Sequence, residues 1–277
     1  SLLLLCLIAV IVYATVEEEY YLESPCFSPD GTKIVFVSDA LTGDLDILKI
    51  NTDGTGLLNL AHTAGKQHGC PVWSPDGSTI AYDYRDWGPP ELEAVMLMNP
   101  DGSNKRRITN EEYLNCEPAW LPDSARLIVT TARYIGADLI LITASGSEIR
   151  YIAAKRPGES MASCSPDGMW VAYEITDTFA GLNQDEVWTN IWRRRIDDIS
   201  IPPVQLTSGQ YMDIEPKYSP DGTKIAFASN RSGSGLRIYT MNPDGSNMTL
   251  IPIGLLESAS SPTWSPDGTK IAFVGTT

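Results

Sequence analysis

Short apolar runs separated by turn residues set the rhythm of this chain. Six of them are bulky at both ends: Ile34-Val35-Phe36, Ile80-Ala81-Tyr82, Leu127-Ile128-Val129, Val171-Ala172-Tyr173, Ile225-Ala226-Phe227 and Ile271-Ala272-Phe273. Runs this short, bounded by Gly, Pro and Asp, predict strands, and no long helical pattern competes with them. Alanine fills the middle position in four of the six, which suits a sheet lying close against another. The stretch Pro262–Phe273 (Pro-Thr-Trp-Ser-Pro-Asp-Gly-Thr-Lys-Ile-Ala-Phe) is the cleanest copy of the repeating unit. The turn prolines fall at 29, 75, 122, 166, 220 and 266, so the spacings are 46, 47, 44, 54 and 46. A period in this range predicts stacked supersecondary units.

Each copy predicts a hairpin for a physical reason. Proline fixes φ for the second turn position. Asp then bonds back to the backbone, and Gly accepts a positive φ. The turn residues are Asp30-Gly31, Asp76-Gly77, Asp167-Gly168, Asp221-Gly222 and Asp267-Gly268, with Asp123-Ser124 as the degraded copy. Serine at Ser124 weakens the positive-φ position without abolishing the turn. A large residue ends the strand before the turn in most copies: Phe27, Trp73, Trp120, Tyr218 and Trp264. Third strands follow at 46–50, 94–98, 139–142, 190–192 and 237–241, and short fourth strands at 57–60, 106–109, 150–153, 204–207 and 249–252.

Four short antiparallel strands per period predict an all-β, six-bladed β-propeller whose last blade is incomplete. The expected blades are about 18–65, 66–111, 112–155, 156–209, 210–255 and a partial 256–277. The fourth blade is longest because of the loop Thr176–Thr189, which carries Phe179, Asn183, Gln184, Asp185, Glu186 and Trp188. Long loops on rigid scaffolds are where specificity usually resides.

The aromatic-Ser-Pro-Asp-Gly-x-x-Ile-Ala-Phe unit, followed by Met-Asn-Pro-Asp-Gly-Ser-Asn at 241–247, resembles the repeat of the TolB C-terminal propeller. The same repeat occurs in the propellers of prolyl-oligopeptidase-type enzymes. The resemblance runs from about Glu18 onward and implies the fold far more strongly than any activity. Proteins of the TolB type carry an α/β domain ahead of the propeller, so the Tol–Pal role is not carried over to this chain.

Residues 1–14 are continuously apolar and stop before Glu17-Glu18-Glu19. They read as a signal-peptide remnant, with Val12-Tyr13-Ala14 at the cleavage site. The rival reading is a strand that closes the ring. Cys6 fits a lipoprotein anchor poorly, and the segment is short for a membrane span. Both ends of the sequence read as cut from a longer protein. A net charge of −15 argues against nucleic acid and anionic membrane as partners. The basic clusters Lys105-Arg106-Arg107 and Arg193-Arg194-Arg195 read as solvated strand faces.

Candidate chemistry is sparse. Cys26, Cys70, Cys116 and Cys164 lie at or beside the innermost strands of four successive blades. No C-x-x-C pair supports a zinc site. They read as small buried thiols, with Cys70–Cys116 the best candidate for an inter-blade disulfide. Glu23, His68, Glu117, Glu159, Asp213 and Glu215 precede the turns where strands enter a mouth of the central channel. Carboxylates converging there would suit a Ca²⁺ ion, the one cofactor candidate, although a solvated acidic rim needs none. No G-x-S-x-G elbow and no Walker loop is present, and His62 and His68 are the only histidines. The leading expectation is therefore an exported, periplasmic or extracellular scaffold without catalytic residues. It would bind a protein or peptide on one face, with no membrane span in the mature chain. The alternatives are the N-terminal propeller of a prolyl-oligopeptidase-like peptidase and a carbohydrate-active propeller with an axial metal.

Overall fold

In the computed structural model the structure describes residues 20–110, 112–134, 136–153, 158–177, 187–233 and 235–276. The apolar segment 1–14 and most of the loop Thr176–Thr189 lie outside them. Every regular element is a strand. The first blade is β1 (Leu22–Phe27), β2 (Lys33–Ser38), β3 (Asp46–Asn51) and β4 (Leu58–Ala61). The second is β5 (Gln67–Trp73), β6 (Ile80–Asp86), β7 (Leu92–Met98) and β8 (Arg106–Arg107). The third is β9 (Leu114–Trp120), β10 (Arg126–Tyr134), β11 (Gly136–Thr143) and β12 (Glu148–Ala153). The fourth is β13 (Glu159–Cys164), β14 (Trp170–Asp177), β15 (Trp188–Arg195) and β16 (Val204–Gln205). The fifth is β17 (Asp213–Tyr218), β18 (Ile225–Ser229), β19 (Arg237–Met241) and β20 (Thr249–Leu250). Each is an antiparallel meander in chain order.

The described structure holds five four-stranded blades, not six. The sixth copy of the repeat contributes a two-stranded sheet, β21 (Ser258–Trp264) with β22 (Ile271–Thr276). Counting Asp-Gly turns counts hairpins, and a blade needs two hairpins. The ring nevertheless closes, because β21 packs against β17 on one side and β1 on the other.

Packing follows the pleat. In β2, Ile34 and Phe36 join Leu48 and Ile50 on one face, while Val35 and Val37 turn to the other, against Trp73, Ile80 and Tyr82 of the second blade. Equivalent clusters fill each later boundary between blades. The small residues Ala81, Ala172 and Ala226 are fully buried in these layers. Trp120 and Trp264 also donate Nε1–H to the carbonyls of Val72 and Lys217, one blade back, at 3.3 and 3.1 Å.

The up-and-down course separates two faces. The β1–β2 type turns and the β3–β4 type turns share one face, the turn face. The β2–β3 type loops and the connections between blades share the other, the loop face. On the turn face each Asp carboxylate is consumed locally. Asp30 accepts Ser28 Oγ–H at 2.6 Å and Thr32 N–H at 3.0 Å, and Asp267 accepts Ser265 Oγ–H at 2.5 Å and Thr269 N–H at 3.0 Å. Led by the serine bonds, these contacts hold the carboxyls of Asp30 and Asp267 down at about 2. The glycines also interlock the ring. A Cβ placed on Gly222 would stand 3.1 Å from Pro166 Cγ of the preceding turn, and one on Gly31 would stand 3.6 Å from Pro266 Cδ.

Ser124 shows how the degraded copy is tolerated. It keeps the positive φ, at 54°. Its hydroxyl accepts the N–H of Asp76 from the neighbouring turn at 3.0 Å. The strain of a non-glycine residue there, of order 1 kcal/mol, is offset by a bond worth about the same.

Two outcomes follow from the turns. Ser124→Ala keeps the strain and loses the bond, so it lowers stability by about 1–2 kcal/mol, whereas Ser124→Gly is near neutral. Urea unfolding of both variants checks the contrast, and equal losses would refute it. The Asp30 and Asp267 pKa values are lower folded than unfolded, so their stabilisation is complete above about pH 4 and disappears as pH falls toward 2. The Asp30→Asn, Asp267→Asn double variant should show a shallower fall of the urea midpoint across that window than the parent.

Candidate functional site

The innermost strands β1, β5, β9, β13, β17 and β21 surround an axial cavity of about 230 Å³. Each of them breaks its ladder at one point. The residues at the break are Ser24, Cys70, Glu117, Met161, Glu215 and Ser261, all left-handed, with φ between 44° and 57°. These are β-bulges, which re-aim side chains and steepen the twist. All six line the cavity. In five of them the next residue is proline: Pro25, Pro71, Pro118, Pro216 and Pro262. Proline donates no N–H and is admitted to strands at bulges.

A bulge leaves its own N–H without a ladder partner, and such a group is costly to bury. In four of the six strands a carboxyl group from the preceding blade takes it. Asp83 accepts from Glu117 N–H at 2.9 Å. Glu117 in turn accepts from Met161 N–H at 2.9 Å and from the Thr130 hydroxyl at 2.8 Å. Glu174 accepts from Glu215 N–H, and Glu215 accepts from Ser261 N–H and the Ser261 hydroxyl. The relay thus runs from the second blade to the two-stranded sheet. Burial pushes the carboxyls of Asp83 and Glu174 well up and that of Glu215 up, against the opposing pull of Arg85 and the amide donors.

The six residues expected at a channel mouth divide accordingly. Glu117 and Glu215 meet in the cavity wall. Glu23 stands one residue before its bulge, outside the wall, and accepts the Tyr21 hydroxyl at 2.7 Å. That bond is the main reason the Tyr21 phenol is pushed up to about 12. His68, Glu159 and Asp213 each precede the bulge by two residues and are buried between blades instead. His68 Nδ1 lies 3.3 Å from the Leu45 carbonyl, and burial pushes its pKa down. Asp213 is fully buried and holds Arg231 Nη2 at 2.6 and 2.7 Å and Ser229 Oγ at 2.6 Å. Convergence therefore fails for these three, because the bulge fixes which register faces the axis.

Sequence reasoning missed Ser24, Met161, Ser261 and the cation of the wall, Lys217. The signal was present: a second proline stands four residues before the turn proline in five of the six copies. Cys26, Cys70, Cys116 and Cys164 are free thiols, so the candidate inter-blade disulfide Cys70–Cys116 is not formed. Burial raises all four, Cys164 to about 12, which favours the protonated thiol over the thiolate. The basic triplet 193–195 is not a plain solvated face either. Arg193 and Arg195 stack on Trp170, and the buried Arg194 donates to the Ile199 carbonyl at 2.7 Å.

Among the described residues, no three His, Cys, Asp or Glu side chains gather as metal ligands. A Ca²⁺ cage needs six to eight oxygens, and both wall carboxylates already accept amide protons. His62 Nδ1 contacts buried Asp46 at 3.1 Å, and among the described residues no serine or cysteine hydrogen-bonds to either histidine. Removing the cap tests the relay. Glu117→Ala strands the Met161 amide and costs about 2 kcal/mol, and Glu117→Gln, which keeps an acceptor, costs about half as much. Matched losses on urea unfolding would show that the cap carries no weight.

The model of the TolB β-propeller domain matches residues 11–174. A curated relative, an uncharacterized protein of Agrobacterium fabrum, is 29% identical over 82% of this chain and 74% of its own length. An uncharacterized peptidase of Bacillus subtilis is 22% identical over 56% of this chain, and the match spans 30% of that peptidase. Among solved structures, a putative TolB from Agrobacterium tumefaciens superposes with a TM-score of 0.74 at 22% identity, covering 95% of this chain and 92% of that one. On the family match, which spans more than half of its length, this chain belongs to the TolB β-propeller domain family.

Proposed function

We propose that this chain is an exported, non-catalytic scaffold that binds a protein or peptide on its loop face. One observation carries the reading: the exposed aromatic side chains among the described residues, Tyr21, Trp87 and Tyr211, all stand on the loop face, whereas the turn face exposes aliphatic ones such as Leu57, Ile149 and Ile199. Tyr21 is 50% exposed, Trp87 56% and Leu255 99%, all on connections of the loop face. Exposed apolar groups mark interaction sites, and loops on a rigid scaffold carry recognition. The turn face offers little in return, since its carboxylates are committed to their own turns. The TolB family membership and the acidic charge support export to the cell envelope or beyond.

A second reading has one supporting observation, the similarity to part of a Bacillus subtilis peptidase. On that reading the propeller gates a hydrolase domain. A G-x-S-x-G elbow followed by Asp and His in the codons after Thr277 would favour it.

The scaffold reading predicts the face. Peptides selected from a displayed random library should lose about five- to tenfold in affinity against Trp87→Ala or Leu255→Ser, the size expected for an exposed anchor. Met169→Ala, 45% exposed on the turn face, should leave them unchanged in fluorescence anisotropy. The opposite pattern would move the site to the turn face.

A further inference from the structure

We propose that the occupant of the loop face is cationic: an extended, Lys/Arg-rich segment of a protein partner that carries aromatic or aliphatic anchors. The inference rests on the scaffold reading and adds the chemistry of the partner. It comes from the arc of the loop face formed by the first two blades and the β21–β22 sheet.

Two kinds of group face outward on this arc. The anchors are Tyr21, Leu41, Trp87 and Leu255. Between them stand the exposed carboxylates Glu91 and Glu257 and the half-buried Glu23. The cations of the same arc are turned onto the protein itself. Lys66 Nζ is bound by Asp86 at 2.5 Å. Arg85 is held by Asp83 at 3.3 Å and by Glu93 at 2.5 Å. Arg237 donates to the Leu236 carbonyl at 3.0 Å and to that of Glu257. His62 leans on Asp46.

Lys66, Arg85 and His62 are thus paired with carboxylates and Arg237 is engaged by carbonyls, while Glu91 and Glu257 are left facing solvent. A surface built this way repels an acidic peptide, a nucleic acid backbone and an anionic membrane alike, and it steers a basic segment toward the anchors. The anchors supply contact area, and the carboxylates supply selection and on-rate. Trp87 is suited to both tasks. Its indole N–H is fixed by Gln67 Oε1 at 3.1 Å, which holds the ring in place, and an aromatic face accepts a guanidinium or ammonium.

The test uses the whole chain and two labelled synthetic peptides of about twelve residues. One carries Arg and Lys with Trp and Leu, and the other replaces every cation by Glu. The cationic peptide should bind about tenfold or more tightly, and its advantage should shrink as salt rises from about 0.05 M to about 0.3 M. Glu91→Gln with Glu257→Gln should cut its affinity several-fold. Glu148→Gln with Asp197→Asn removes the same charge near the turn face and should not. Circular dichroism and thermal unfolding confirm that all variants fold. If both peptides bind equally and both depend on Trp87, the charge inference falls while the scaffold reading stands. If the two charge pairs weaken binding equally, attraction is diffuse and the inference also falls. If neither peptide binds, both readings fall.

Discussion

One left-handed residue in each innermost strand governs this molecule. A strand that bends there exposes an amide its own sheet cannot use, and a buried amide must find an acceptor. In four of the six strands the acceptor is a carboxylate or carboxyl of the preceding blade. The bend and its cap do two things at once. They narrow the inner strands around a common axis, and from the second blade to the two-stranded sheet they tie neighbours by a directional contact on top of apolar packing. Packing alone would tolerate small rotations between sheets, because apolar contact has little directional preference. The cap does not.

The two faces then diverge for a simple reason. Turns of the Ser-Pro-Asp-Gly type satisfy themselves: serine, aspartate and the following amides close a small network, and each glycine seats on the proline of the turn before it. A repeated, self-satisfied turn has nothing left to offer a ligand. The loops on the other face vary in length and sequence, so whatever individuality the chain has must lie there. That division is why a sixfold repeat can still present one particular surface.

The propeller architecture was legible because its signals are local. Proline, Asp-Gly and a bulky–small–bulky run act over a dozen residues, and their period names the architecture. The blade count was legible in part, because turn copies count hairpins: Asp267-Gly268 marks a sixth hairpin, and the copy read as an incomplete sixth blade is a two-stranded sheet beside five blades. The site was legible in part. Glu117 and Glu215 sit where the approach to the turn suggested. Asp213, Glu159 and His68 do not, since the bulge shifts the phase of the strand, and a count from the turn proline spans that bulge. The caps Asp83 and Glu174 were invisible for another reason. Their partners lie 34 to 41 residues away in the next blade, and no local pattern encodes such a distance.

The relay of caps has a direction. In every link the acceptor precedes the amide it receives: Asp83 before Glu117, Glu117 before Met161, Glu174 before Glu215, Glu215 before Ser261. A ribosome releases the chain in that same order. The third, fourth and fifth blades and the two-stranded sheet therefore each emerge to find a docking oxygen already made, so this arc of the ring can be assembled vectorially, one sheet at a time.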